Sequence, residues 1–312
     1  MQKIYFGAPG TGKSNTIDKI ETAGVSEDRI FRVTFYPDFS YNDFVGQLLP
    51  KVIPSTTSEE SDIITYDFQK GVFVKALEKA YENTANDVYL IIEEMSRGDC
   101  AAIFGDIFQL LDREKIGANA GFSKYFITNE VISKDIIALR ENGNKVKLPP
   151  NFHILGTVNT SDQNVYVMDT AFKRRFEWEY ISTEPVSSED GTLLNNAELR
   201  YNNGTVEKTI NWVDLYQKLN IFISEEQYLD LGEDKQLGQF FIEFDLSQDY
   251  EIHKKQIQNK LLNYLWNDVA KASFKNDIRL FDSSIGSFSK LYSSYAQGIK
   301  VFSDEFITLM ES

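Results

Sequence analysis

The chain has 312 residues, of which 42% are hydrophobic, 13% aromatic and 25% charged, a make-up that excludes whole-chain disorder. Its 47 acidic against 32 basic residues give a formal charge of −15, so an isolated subunit is not expected to bind nucleic acid by neutralising phosphates. A single cysteine, Cys100, excludes an intrachain disulfide and points to a reducing compartment, and with only His153 and His253 beside it neither a structural zinc site nor a Cys–His catalytic pair is expected.

Residues 4–6 read as a short buried strand, 7–14 as a loop and 15–21 as the start of a helix with Ile17 and Ile20 on its apolar side. A second strand is expected at 30–35. The stretch 51–62, with Pro54 and a Ser/Thr/Glu cluster, reads as a surface excursion. A helix follows at 71–83, then a continuously apolar strand at 88–92, as expected when both sheet faces are covered. The spacing of Ile103, Phe104, Ile107, Phe108 and Leu111 predicts a helix over 101–111. Residues 123–146 read as an inserted hairpin turning at Asn142-Gly143, 153–158 as a strand, 167–175 as a short helix and 176–181 as a strand. The Ser-, Glu-, Asn- and Gly-rich stretch 187–204 reads as a linker, and helices are expected at 212–221, 224–231, 254–273 and 303–310. Strands alternating with helices predict a three-layer α/β domain with a parallel sheet over 1–185, a linker or excursion over 186–208, and a smaller helical domain over 209–312. No apolar run approaches the roughly 20 residues of a membrane span. Six residues precede the glycine loop, so neither a signal peptide nor an upstream recognition domain is expected, and the chain is expected to be cytoplasmic.

Gly7-Ala8-Pro9-Gly10-Thr11-Gly12-Lys13-Ser14 fits G-x-x-x-x-G-K-[ST] between a predicted strand and a predicted helix. Glycines let such a loop turn its N–H groups onto phosphate oxygens, and the helix that follows adds the positive end of its dipole. Lys13 is expected to reach the β- and γ-phosphates and the Ser14 hydroxyl to ligate Mg²⁺. Glu93 and Glu94 stand at the tip of the apolar strand, where P-loop enzymes hold the metal ion and polarise the attacking water; Glu93 is assigned to the ion and Glu94 to the water. Asn159 ends a second strand, placed to bond the γ-phosphate or that water, and Asp162 follows it. The short helix ends Lys173-Arg174-Arg175-Phe176. Either arginine can complement the helix terminus, or enter a neighbouring subunit's site and neutralise transition-state charge, which needs a head-to-tail ring. Arg97 offers an action across subunits or a surface ion pair, and Lys235 a phosphate contact or a solvated charge.

Together, Gly7 to Ser14, Glu93-Glu94-Met95-Ser96-Arg97-Gly98-Asp99, Asn159-Thr160-Ser161-Asp162 and Asp169-Thr170-Ala171-Phe172-Lys173-Arg174-Arg175-Phe176 resemble the McrB-type AAA+ motor of McrBC-type restriction systems. Tyr41-Asn42-Asp43-Phe44 and the segment from Gly232 to Phe241 resemble further family segments, the latter its lid motif. The resemblance implies an AAA+ fold with a helical lid, Mg²⁺, GTP in preference to ATP, a hexameric ring, and a McrC-like nuclease partner. DNA is then engaged through the assembled complex. It also puts Lys13 and Ser14 on phosphate and metal, Glu93 and Glu94 in the acidic pair, Asn159 in the sensor position, and Arg174 and Arg175 in the finger positions, with Asp162 organising the site. Two departures stand out: Glu93 replaces the usual Asp, and Ser96 stands where Asn is common.

Two other functions are compatible with the phosphate loop. A MoxR-like chaperone ATPase would remodel a protein partner, and a non-catalytic scaffold would use nucleotide only as a gate. The Asn159-to-Asp162 segment and the lid-like motif favour the restriction motor over the first, and retention of Lys13, Ser14, Glu94 and Asn159 disfavours the second.

Overall fold

The computed structural model describes residues 1–54, 62–160, 166, 168–275 and 277–312. Its strands in chain order begin with β1 (Gln2–Gly7), β2 (Ile30–Thr34), β3 (Gly46–Ile53), β4 (Ile63–Lys70), β5 (Val88–Glu93), β6 (Ile127–Thr128), β7 (Lys145–Val146), β8 (Phe152–Asn159) and β9 (Glu177–Tyr180). Five of them form one sheet in the order β2-β5-β8-β1-β9. Strand β5 runs parallel to β2 and β8, with Glu93 opposite Thr34 and Ile92 opposite Gly156. The N–H of Ile154 donates to Met1 and that of Thr160 to Gly7, a constant offset that makes β8 and β1 parallel as well. Val88 to Ile92 are all buried, which is why β5 is apolar without alternation. This is the three-layer α/β arrangement that the alternation of strands and helices predicts.

The chain divides into two compact units, one of Met1–Tyr5, Ser14–Val158 and Gln163–Glu179, the other of Phe6–Lys13, Asn159–Asp162 and Tyr180–Ser312. In the first, helix Val72–Glu82 buries Phe73, Val74, Ala76, Leu77 and Ala80 along one stripe. A run of rings, Phe35, Phe44, Phe104 and Phe172, crosses its core with centroids 5.0–5.7 Å apart. Each buried ring is worth about 1.5–3 kcal/mol of apolar transfer. The run fixes the helical segments after β5 and before β9 to the same core. The second unit adds β10 (Glu198–Asn202) and β11 (Glu207–Asn211), an antiparallel pair. Its helical part comprises Trp212–Ser224, a continuous helical run from Tyr250 to Ala270, and Phe288–Ala296 and Asp304–Glu311. Its core gathers Trp212, Tyr216, Phe222, Leu261, Leu265, Leu291 and Phe306.

Several local expectations are corrected. The region around 51–62 is flanked by β3 and β4, an antiparallel hairpin with exposed Leu48, Val52, Ile64 and Tyr66; residues 55–61 lie outside the described set. Pro50 lies within β3, and in a two-stranded antiparallel pair both strands are edges, where proline is tolerated. The inserted hairpin at 123–146 reduces to the pair β6–β7 enclosing two short helices, Glu130–Ser133 and Ile137–Glu141. The helix expected at 224–231 does not form: the backbone turns extended at Glu225, and the Leu229 N–H donates back to Phe222. Ile20, expected on an apolar face, is exposed, because the helix is π-wound over Ile17–Glu21 and its register shifts.

Candidate nucleotide site

The loop after β1 is held from inside by its own donors. Gly7, Gly10 and Gly12 take φ of +157°, +78° and +88°, a backbone that residues with a side chain adopt at a cost. Lys13, only 7% exposed, donates through Nζ to the carbonyls of Gly7 (3.2 Å) and Ala8 (2.9 Å). The Thr11 hydroxyl also donates to Ala8, at 3.0 Å. Pro9 and Gly10 give their carbonyls to the N–H groups of Gly238 and Phe240, at 2.9 and 2.7 Å. Ala8 and Thr11 are buried beneath this network. Such a curl with its carbonyls engaged elsewhere suits an anion, which needs N–H groups and a cation.

In the first unit, Ser14 and Glu93, 79 residues apart in sequence, meet at 3.0 Å, the Ser14 hydroxyl donating to Glu93 Oε2. The same carboxylate oxygen accepts from the hydroxyl of Thr157 on β8, and Oε1 is bound by Arg32 of β2, whose guanidinium also grips Asp18. A hydroxyl and a carboxylate side by side are hard oxygen donors of the kind Mg²⁺ takes, so these residues fit the expected ion. The Thr157 hydroxyl also accepts the Glu94 N–H at 3.2 Å. Glu94 itself sits at φ +53°, in the left-handed region, where any residue with a Cβ pays a steric cost that glycine does not. Its carboxylate pairs with Arg97 Nε at 3.2 Å. Gly156 leaves room for the Met95 side chain, since a Cβ there would come within 2.7 Å of Met95 Sδ.

Asn159 ends β8. Asp162 lies outside the described residues. Asp169 caps the short helix Thr170–Lys173. Beyond it Arg174 is exposed, its side chain without a hydrogen bond or ion pair among the described residues, whereas Arg175 turns inward. Arg175 pairs with Asp112 at 2.7 Å, donates to the Ala171 carbonyl at 2.8 Å, and lies 4.0 Å over the ring of Phe108. Arg97 is engaged by Glu94 of its own chain. Lys235 is buried, not solvated, and pairs with Asp234 at 3.2 Å. Thr157 and Arg32 were missed by sequence reading. Thr157 lies two residues before Asn159 on the same strand, but nothing in the pattern marks Arg32.

Residues 4–176 match the AAA domain family, dynein-related subfamily. The chain is 36% identical over 324 residues to the type II restriction enzyme BsuMI component YdiS of Bacillus subtilis (strain 168), spanning 96% of this chain and 87% of that protein. It is 25% identical over 185 residues to the type IV methyl-directed restriction enzyme EcoKMcrB subunit of Escherichia coli (strain K12), spanning 58% of this chain and 35% of that protein. Among the described residues no helix is long and apolar enough to cross a membrane. With its glycine loop, its acidic strand tip and its parallel sheet, the chain belongs to the AAA domain family, as a McrB-type AAA+ protein.

Proposed function

We propose that this chain is the nucleotide-hydrolysing motor of a restriction or phage-defence complex, with GTP the favoured substrate and ATP the alternative. The observation that carries the reading is the meeting of Ser14 with Glu93 at 3.0 Å, because those are the two protein groups a P-loop enzyme turns towards its magnesium ion. Gly7, Ala8, Pro9, Gly10, Thr11 and Gly12 supply backbone to the phosphates, and Lys13 supplies the charge. Mg²⁺, when bound to Ser14 and Glu93, neutralises charge on the triphosphate. Glu94 orients and deprotonates the attacking water, Asn159 senses the γ-phosphate, and Asp162 helps to organise the site. Arg174 reaches a neighbouring subunit in a ring, a hexamer on the family's pattern, while Arg175 holds the helix that presents it. A McrC-like nuclease docks on that ring, and DNA is engaged by the whole complex. The similarity to the Bacillus subtilis restriction component over nearly the full chain supports the setting.

Phosphate release from GTP and from ATP, measured with and without a candidate nuclease subunit, tests the reading. Turnover that requires Mg²⁺ and rises when the nuclease is added is expected. Absence of turnover with either nucleotide under both conditions overturns it, and stimulation by a protein substrate in place of the nuclease would favour the chaperone class.

A further inference from the structure

The phosphate loop is gripped by a segment more than two hundred residues downstream. The Gly238 N–H donates to Pro9 at 2.9 Å and the Phe240 N–H to Gly10 at 2.7 Å, so residues 238–240 lie along the loop as a strap within the same compact unit. The two backbones touch. A Cβ on Gly238 would stand 2.3 Å from the Gly10 carbonyl carbon and 2.3 Å from the Thr11 nitrogen, and a Cβ on Gly10 would stand 2.3 Å from the Phe241 nitrogen. Behind the strap, Gln239 is 2% exposed and fully engaged. Its side chain accepts from the Val186 N–H at 2.5 Å and donates to the carbonyls of Val186 (3.2 Å) and Leu194. Its carbonyl accepts from the Trp212 indole N–H and from Asn195 Nδ2, both at 2.7 Å.

A trans peptide points its C=O and the following N–H in opposite directions. No peptide among the described residues is cis. Fixing the carbonyls of Pro9 and Gly10 onto the strap therefore turns the N–H groups of Gly10 and Thr11 away from it, as a phosphate cradle requires. We infer that the strap is a built-in part of the phosphate site: Gly238 and Gln239 are positioning residues that preset the loop before nucleotide arrives. This rests on the reading of residues 7–14 as a triphosphate site, and it adds a reason for a glycine at 238. Gly238 is not at a positive φ, so its lack of a side chain serves close approach rather than backbone conformation.

The full chain is tested with Gly238→Ala, Gln239→Leu and, as a control on the same unit, Gly286→Ala, whose added Cβ would meet nothing within 4 Å. Binding of a fluorescent GTP analogue with Mg²⁺ and amide hydrogen exchange without nucleotide are both read. Gly238→Ala is expected to weaken binding about tenfold or more, the worth of one charge-assisted hydrogen bond, and Gln239→Leu by less. In both, the loop exchange, read at the amides of residues 238 and 240 that donate to the Pro9 and Gly10 carbonyls, should quicken while β5 stays protected, and Gly286→Ala should match the wild type. A folded Gly238→Ala protein with wild-type binding and wild-type loop exchange overturns the inference. If that variant does not fold, unchanged loop exchange in Gln239→Leu overturns it. Exchange needs no ligand, so a wild-type chain that binds no triphosphate would sink the phosphate-site reading while exchange still decides the strap.

Discussion

The Ser14 hydroxyl donates to Glu93 Oε2 at 3.0 Å, joining the end of the phosphate loop to the tip of β5. Glu93 carries one methylene more than the usual aspartate, and the hydroxyls of Ser14 and Thr157 fix one of its two oxygens. Glu93→Ala should therefore raise the Mg²⁺ concentration that half-saturates hydrolysis by about tenfold, in line with the loss of one charged ligand contact. Ser14→Ala should act in the same direction, and the double variant should cost less than the sum, since the two groups serve one ion. A Mg²⁺ titration of phosphate release in the four proteins checks this; additive effects would separate Ser14 from Glu93.

Arg32 holds the other oxygen of Glu93 and ties it to Asp18. The pair is partly solvated, the arginine side chain being 36% exposed, so its worth is modest, about 0.5–1 kcal/mol. Arg32→Ala should shift the Mg²⁺ half-saturation by about two- to fivefold, with Arg32→Lys between it and the wild type, because lysine keeps the charge and loses the fork. In a Glu93→Ala background the Arg32→Ala change should have no further effect on that constant.

Glu94 combines a chemical role with a strained backbone, at φ +53°. Glu94→Gln should keep nucleotide binding and lower turnover by about 10²- to 10⁴-fold, the usual share of a general base. Glu94→Gly should also lose turnover but melt no lower than the wild type. The left-handed cost of about 1–2 kcal/mol is relieved, which offsets the entropy that glycine adds to the unfolded chain. Calorimetry of the two variants separates the backbone contribution from the chemistry: a clear drop in Glu94→Gly would mean that the side chain, not strain, governs the local stability.

The parts legible in the sequence are those encoded locally. The glycine loop is one short stretch of sequence, the apolar run of β5 with its two terminal acids is another, and β5 forms where that run stands. What was not legible depends on partners far along the chain. Arg32 reaches Glu93 across 61 residues and Thr157 across 64, and no periodicity links them. Arg113 is a sharper case. Its guanidinium bonds to Gln2 and to the carbonyls of Gly121, Leu148, Pro149 and Phe152, with burial pulling its pKa down to about 10, and no carboxylate in the sequence pattern announces it. Residues 238–240 were recognisable as a motif, yet their grip on Pro9 and Gly10 is a backbone contact that side-chain identities do not encode.

Cys100 is buried beside this acidic turn, its thiol donating to the Met95 carbonyl at 3.1 Å. Burial pushes its pKa up from 9.0 to about 12. The thiolate is the reactive form, so alkylation of the native protein at pH 8 should be far slower than that of the denatured chain. Above pH 9 the unfolded chain releases this proton and the folded one does not, so folding free energy is lost as pH rises. Urea midpoints at pH 8 and pH 10 should therefore fall less in Cys100→Ala than in the wild type.

Arg174 and Arg175 are neighbours in sequence with opposite surroundings. Arg175 is bound to Asp112 and Ala171 and stacked on Phe108, its side chain 10% exposed, whereas Arg174 is exposed on the same helix end. Arg175→Ala should destabilise the monomer by about 2–4 kcal/mol, because Asp112 loses its partner and the ring loses its cation. Arg174→Ala should leave the melting temperature within a degree or two and remove most nucleotide turnover in the assembled state, as loss of a transition-state cation does. Mixing Arg174→Ala subunits into wild-type assemblies should lower turnover in proportion to the number of interfaces they spoil. Full turnover in Arg174→Ala, or loss of folding in it, would move the transferred role to another residue; a stable Arg175→Ala with lost turnover would move it to Arg175.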